Sequence, residues 1–275
     1  MDARIRGILC IGLLAGTALG PAQAMEIVVQ VENLSPTNGF WLSPMWVGFH
    51  DENYALFEMG TRARIGGGLE RLAEDGDPRP LQAEFAHDVP TGTSGIIEAP
   101  GGIANLKLFG PGEKARIRIT VDPLTQRFMS YAAMVMPSND AFIGNDDQRP
   151  IELFDERGVW LGDKAMEIGG CLVWDAGTES NTETDAMFFN QTKLDNGIPT
   201  GQDITKHPGL GAWTPYGITA LGATNSLGIY FDPDAVDFIR DNRPICLITV
   251  IPEPATVFLL AAGGGALLIG RRRRA

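Results

Sequence analysis

The chain has 275 residues and a formal net charge of −12, from 34 Asp and Glu against 22 Lys and Arg. An acidic excess of this size argues against nucleic acid and anionic membrane surfaces as partners, and suits a soluble surface that attracts cations. The 34 Gly and 18 Pro divide the sequence into short segments, which points to many short strands rather than long helices.

Residues 1–24 read as a secretory signal peptide. Arg4 and Arg6 give the positive start, residues 8–19 are apolar, and Ala22-Gln23-Ala24 has the small-x-small form of a cleavage site. The apolar stretch is too short for a membrane anchor. Residues 25–250 are expected to form the mature domain. Setting aside the leader (net +1) and four arginines near the C-terminus moves the charge from −12 to about −17. Cys10 leaves with the leader, so Cys171 and Cys246 remain. Export to an oxidising compartment would allow a Cys171–Cys246 disulfide, and two buried thiols on neighbouring strands are the other reading.

Within the domain, residues 27–32 form a first strand. Residues 115–121 alternate strictly: Ala115, Ile117, Ile119 and Val121 point one way, Arg116, Arg118 and Thr120 the other. Residues 129–136, 171–174 and 245–251 are further apolar strands. Residues 68–74 form a short helix with Leu69, Leu72 and Ala73 on one side, and a second short helix is expected over 233–240. Residues 181–215 are polar and poorly patterned, so they read as a long loop. Short strands at this spacing predict an all-β fold, an antiparallel β-sandwich with one or two short helices.

Four acidic residues lie in two compact turns, each directly after an apolar strand. Asp140 and Asp146 belong to the turn starting Pro137-Ser138-Asn139, and Asp175 and Glu179 to Asp175-Ala-Gly-Thr-Glu179. If the two strands are neighbours, their end loops bring these carboxylates together in one solvent-facing site, where like charges repel unless a cation neutralises them. Oxygen ligands on loops suit Ca2+. The same residues also suit turns, where Asp and Asn cap backbone N–H groups. A third reading pairs Asp140 with Glu179 as the acid and base of a polysaccharide hydrolase.

Other chemistry finds little support. His50, His87 and His207 lack metal-ligand spacing, and no Cys/His spacing fits zinc. Gly66-Gly67-Gly68 is not a dinucleotide fingerprint, and no serine sits in a nucleophile elbow. His50 after Trp46-Val-Gly-Phe, and most of the five tryptophans, read as packing residues.

Residues 251–275 differ from the rest. Pro252-Glu253-Pro254 is followed by fifteen uncharged residues and then Arg271, Arg272, Arg273 and Arg274. As a helix that stretch would rise roughly 22 Å, against about 30 Å of hydrocarbon, so it is marginal as a permanent span. The arginines would stop translocation on the cytoplasmic side. The tail resembles the PEP-CTERM sorting signal of Gram-negative bacteria. That resemblance implies transient inner-membrane contact, recognition by an exosortase-type sorting enzyme, and delivery to the outer surface or a biofilm matrix.

A second resemblance covers the domain. Val31-Glu-Asn33, Trp41-Leu-Ser-Pro44 with Val47-Gly-Phe-His50, Leu56-Phe57-Glu-Met-Gly60, Gly67-Gly-Leu-Glu-Arg-Leu-Ala73 and Gly112-Glu113 come first. Ala133-Met134, Pro137-Ser-Asn-Asp140-Ala-Phe-Ile-Gly144 and Asp175-Ala-Gly-Thr-Glu179 follow in the same order as in the spondin N-terminal domain family. The resemblance implies a spondin/C2-like sandwich with a metal site, usually calcium, at one end. Asp140, Asp146, Asp175 and Glu179 would match its acidic positions. It also implies an extracellular, adhesive, non-enzymatic role, with matrix polysaccharide or a surface protein as partner. Asn145 stands where animal members tend to have an apolar residue, and the thrombospondin-type repeats of those members are absent.

Overall fold

The computed structural model describes residues 24–101, 106–147, 150–181, 197–210, 224–225 and 227–253. The tail beyond Glu253, with Pro254 and Arg271–Arg274, and all of the leader but Ala24 lie outside the described residues.

In chain order the elements are β1 (Met25–Asn33), β2 (Trp41–Leu42), β3 (Met45–His50), α1 (Gly68–Asp75), α2 (Arg79–Asp88), β4 (Thr93–Ile97) and β5 (Lys114–Val121). Then come β6 (Phe128–Met136), β7 (Ala141–Gly144), β8 (Ile151–Glu152), β9 (Lys164–Gly169) and β10 (Val173–Asp175). The last are β11 (Thr205–Lys206), α3 (Pro233–Val236) and β12 (Pro244–Pro252). Two antiparallel sheets result. One has the order β5-β1-β12-β9, and the other runs β11-β10-β7-β6-β3-β4, with β2 and β8 also paired to β6. The fold is the expected all-β sandwich with short helices. Among the described residues no helix is long and apolar enough to cross a membrane.

The period-2 strands place the core. In the first sheet Val29 lies opposite Ile117 on one side and Val250 on the other. Ile27, Val29, Val31, Ile248 and Val250 are fully buried and face Val47, Phe49, Met129, Tyr131, Ala133 and Val135 of the second sheet in one cluster. Each such Val, Ile, Phe or Met side chain contributes about 1.5–3 kcal/mol of burial. β5 is an edge strand of the first sheet and keeps its arginines in solvent. β6 is buried on both faces, because its even-numbered side pairs with a second cluster. There Trp46, Ala132, Phe142 and Trp174 pack beneath Leu69, Leu72 and Ala73 of α1 and Leu81 and Phe85 of α2. Two helices thus cover the outer face of the second sheet, and that explains a continuous apolar run where a sheet wetted on one face would alternate.

The two helices meet closely. A Cβ on Gly68 would overlap the backbone of Leu81, so only glycine lets them approach. Neither helix has a side-chain cap at its own N-cap position. Instead Glu84 of α2 accepts from the Gly68 N–H at 2.5 Å, and Glu70 accepts from the Gly66 N–H at 2.9 Å. This supplies the anionic oxygens that a helix N-terminus favours.

Four expectations change. The strand expected over 171–174 is β10, Val173–Asp175, preceded by a 3-10 turn at Gly170–Leu172. α2 was not foreseen: its first turn holds Pro80, and only Leu81 and Phe85 of its ten residues are buried, so its periodic signal is weak. The helix expected over 233–240 is one turn of α-helix, started by Asp232 accepting from the Asp234 N–H, with a separate 3-10 turn at Arg240–Asn242. The expected 181–215 loop contains β11, paired with Trp174 and Asp175; its residues 182–196 and 211–215 lie outside the described residues.

Candidate functional site

Antiparallel pairing of β7 with β10 sets Asp175 opposite Ala141, the residue after Asp140. The two predicted turns therefore meet at one end of the second sheet. Asp140 has no exposed surface. Its Oδ2 accepts from the Thr178 N–H at 2.9 Å, the Glu179 N–H at 3.2 Å and the Thr178 hydroxyl at 3.4 Å. Asp175 Oδ1 accepts from the Gly177 N–H at 2.8 Å and its Oδ2 from the Asn181 amide at 2.6 Å. Gly177 has φ +68°, and a Cβ there would sit 2.7 Å from the Gln202 carbonyl, so this turn requires glycine. Glu179 is 5% exposed, receives Asn139 Nδ2 at 3.5 Å, and is backed by Gly197, where a Cβ would overlap its carboxylate.

Asp140 and Glu179 are thus buried and Asp175 half-buried, rather than solvent-facing, and both roles foreseen for these acids coexist: they cap turns, and they crowd together. Asp140 Oδ1 is buried with no hydrogen-bond partner. Burial, then the charge of Asp175, raises the Asp140 carboxyl above the usual carboxylate range, although the N–H groups of Glu179 and Thr178 pull the other way. With no exposed surface, Asp140 offers a sugar nothing to contact, which weakens the hydrolase reading.

One member of the cluster escaped the sequence reading. Glu74, on α1, is 3% exposed, and its Oε2 is buried with no partner. Burial pushes its carboxyl up to about 8; the charges of Glu179, Glu70 and Asp75 add to this, while a hydrogen bond with Thr178 opposes it. A cavity of about 290 Å3 lies between α1 and the second turn, lined among others by Glu70, Arg71, Glu74, Thr178 and Glu179. A usable signal was present: Glu70 and Glu74, four apart on one helix face, are like charges that an exposed helix disfavours, and both are buried here.

Asp146 does not join the cluster. It follows β7, whereas Asp140 precedes it, and the four-residue strand plus Asn145 sets them roughly 20 Å apart. It lines a different cavity with His50 and Tyr54. His50 is the packed residue expected: Nδ1–H donates to the Asp51 carbonyl at 2.6 Å, Nε2 meets Ser130 Oγ at 2.9 Å, and burial lowers its pKa.

The disulfide reading is also corrected. Cys171 and Cys246 are free thiols, the first exposed and the second buried. Cys246 points from β12 into the core between the sheets. Cys171 sits on the 3-10 turn Gly170–Leu172, its N–H bonded to Asn242 Oδ1 at 2.8 Å. Of the residues expected to form a sorting motif, Pro252 ends β12 opposite Ile27. Glu253 follows, its N–H bonded to the Glu26 carbonyl at 2.9 Å and its carboxylate 3.2 Å from Arg118.

Oxygen-only donors, two of them buried carboxylate oxygens with no partner, are the chemistry a hard cation takes. Among the described residues, however, no three His, Cys, Asp or Glu side chains are already disposed to hold a metal ion. The donor types fit calcium, but the ligand shell is not preformed.

The fold and this pair of linked turns define an antiparallel two-sheet sandwich with a helical cap and an acidic, buried end. Residues 35–196 match the Spondin_N family, more than half of the chain, and the protein belongs to that family. β1 and β12, the two central strands of the first sheet, lie outside the matched residues. No curated protein matches the chain.

Proposed function

We propose that this protein is an exported, surface-sorted adhesive domain, not an enzyme, that binds extracellular matrix polysaccharide or a surface protein and carries a calcium-dependent end. The residues that would hold calcium are Asp140, Asp175 and Glu179, with Glu74 in the place foreseen for Asp146. The observation that carries this reading is that Asp140 and Glu74 are both buried against Thr178 and Glu179, and that one carboxylate oxygen of Asp140 and one of Glu74 have no hydrogen-bond partner. Buried carboxylates must be protonated or neutralised by a cation, and main-chain carbonyls and water can complete an oxygen shell. Calcium would then fix the Asp175–Glu179 turn and the adjoining surface. Membership of the spondin family supports a non-enzymatic binding role, and the leader and tail support export and sorting by an exosortase-type enzyme.

Thermal unfolding of the purified chain in EDTA, then in millimolar calcium, tests the metal. A rise in Tm that an Asp140→Ala/Glu74→Gln double variant lacks supports the reading, and an unchanged wild-type Tm removes calcium from it. Binding of the chain to matrix polysaccharide, with and without calcium, tests the adhesive role. Export is checked by the mass of the secreted protein, which should begin at Met25.

A further inference from the structure

The cavity beside Asp146 holds a feature that the calcium reading does not use. It measures about 190 Å3 and is walled by His50, Tyr54, Leu56, Phe128 and Pro150, with Ser130, Asn145 and Asp146 as polar groups. That volume exceeds one water several-fold and falls below pockets for drug-sized ligands. Asp146 is 5% exposed and its Oδ1 is buried with no hydrogen-bond partner.

Its polar neighbours are already committed. The Asp51 carbonyl can only accept, so His50 Nδ1 carries the proton and Nε2 accepts from the Ser130 hydroxyl. Asn145 Oδ1 accepts from the Tyr131 N–H at 3.0 Å, and its amide donates to the Met129 carbonyl at 3.3 Å and to Ser130 Oγ at 3.5 Å. Asp51, Glu52 and Asp147 add acidic groups to the lining, which has no lysine or arginine among its described residues. Arg127, next to the cavity, is held by Glu152 at 2.6 Å and Glu52 at 3.8 Å.

We propose that this cavity is a binding site for a small alkylammonium group, with Asp146 as its counter-ion and Tyr54, Leu56, Phe128 and Pro150 around the alkyl chain. A divalent cation fits less well: the oxygens of Ser130 and Asn145 are spent on internal hydrogen bonds, Asp51 Oδ1 accepts from the Asn53 N–H at 2.9 Å, and among the described residues no three acidic side chains are disposed to hold a metal ion, whereas Ca2+ needs six to eight ligands. A single positive charge on an apolar stem needs one unpaired carboxylate and apolar walls.

The test is calorimetric titration of the full chain, in EDTA, with pentylammonium and with Nα-acetyl-lysine methylamide, against wild type and Asp146→Asn. Saturable binding to wild type, weakened at least about tenfold in the variant, is expected. Binding of pentylammonium alone identifies a free amine as the ligand; binding of the lysine derivative identifies a partner's side chain. Asp146→Asn keeps the size and shape of the side chain, and its thermal unfolding beside wild type checks that it folds. Failure of both amines to bind wild type, or equal binding by the variant, overturns the proposal. So does calcium binding that Asp146→Asn abolishes and Asp140→Ala leaves intact. Excess EDTA keeps the amine titration independent of the calcium site.

Discussion

Replacing Glu74 with Gln should make the protein in EDTA more stable at neutral pH and remove the proposed response to calcium. The glutamate carboxyl is 3% exposed, and burial first, then neighbouring carboxylates, raise it from the ordinary 4.5 to about 8. The folded value lies above the unfolded one, so the folded chain keeps a proton that the unfolded chain releases between those values. Glu74 therefore costs nothing below about pH 4.5, and its penalty grows as pH rises toward about 8. At pH 7 the accumulated penalty is about 3 kcal/mol. Glutamine keeps the shape and can still meet Thr178 but has no proton to lose. In EDTA at pH 7 the variant should melt roughly 6–12 °C above wild type, and the two should converge near pH 4.5. Calcium at a hundredfold its Kd would stabilise wild type by about 2.7 kcal/mol, and Glu74→Gln should lose most of that. Thermal unfolding followed by circular dichroism from pH 4.5 to 8, with and without EDTA, measures both effects. A Glu74→Gln protein less stable than wild type at pH 7 in EDTA, or two pH profiles that run parallel, would refute the placement of this buried carboxyl.

Other outcomes follow from the same geometry. Gly177→Ala should lose about 1–3 kcal/mol, because φ is +68° and the new Cβ meets the Gln202 carbonyl; chemical denaturation of the variant reads this. Phe85→Ala, which removes the ring packed edge-on against Trp46 at 5.2 Å, should cost about 3–5 kcal/mol and shift the tryptophan fluorescence. In a chain beginning at Met25, Cys171 should react quickly with a thiol reagent and Cys246 only on unfolding, since burial raises the Cys246 thiol; two fast thiols, or none, would contradict the placement.

Much of this protein was legible in short stretches of residues. Alternation in 115–121 and the apolar runs at 129–136 and 245–251 identify strands, because a strand's side chains alternate between faces whatever surrounds it. The Asp140 and Asp175–Glu179 turns were visible for a similar reason: Asp, Gly and Thr hydrogen-bond to nearby backbone. α2 was hidden because its burial rests on two residues four apart, Leu81 and Phe85, and on a glycine in another helix.

The grouping of the acids was of another kind. Sequence proximity joined Asp146 to Asp140, but the four-residue strand between them sends them to opposite ends. Glu74 lies 66 positions before Asp140 in sequence, yet helix packing on the outer face of the sheet delivers it to Thr178 and Glu179. The two cysteines likewise sit near paired strands, β9 and β12, but one faces the core and the other solvent. Local patterns state which residues alternate, turn or cap. Which charges share a low-dielectric space depends on chain crossings many residues apart, and only the packed sheets and helices contain that information.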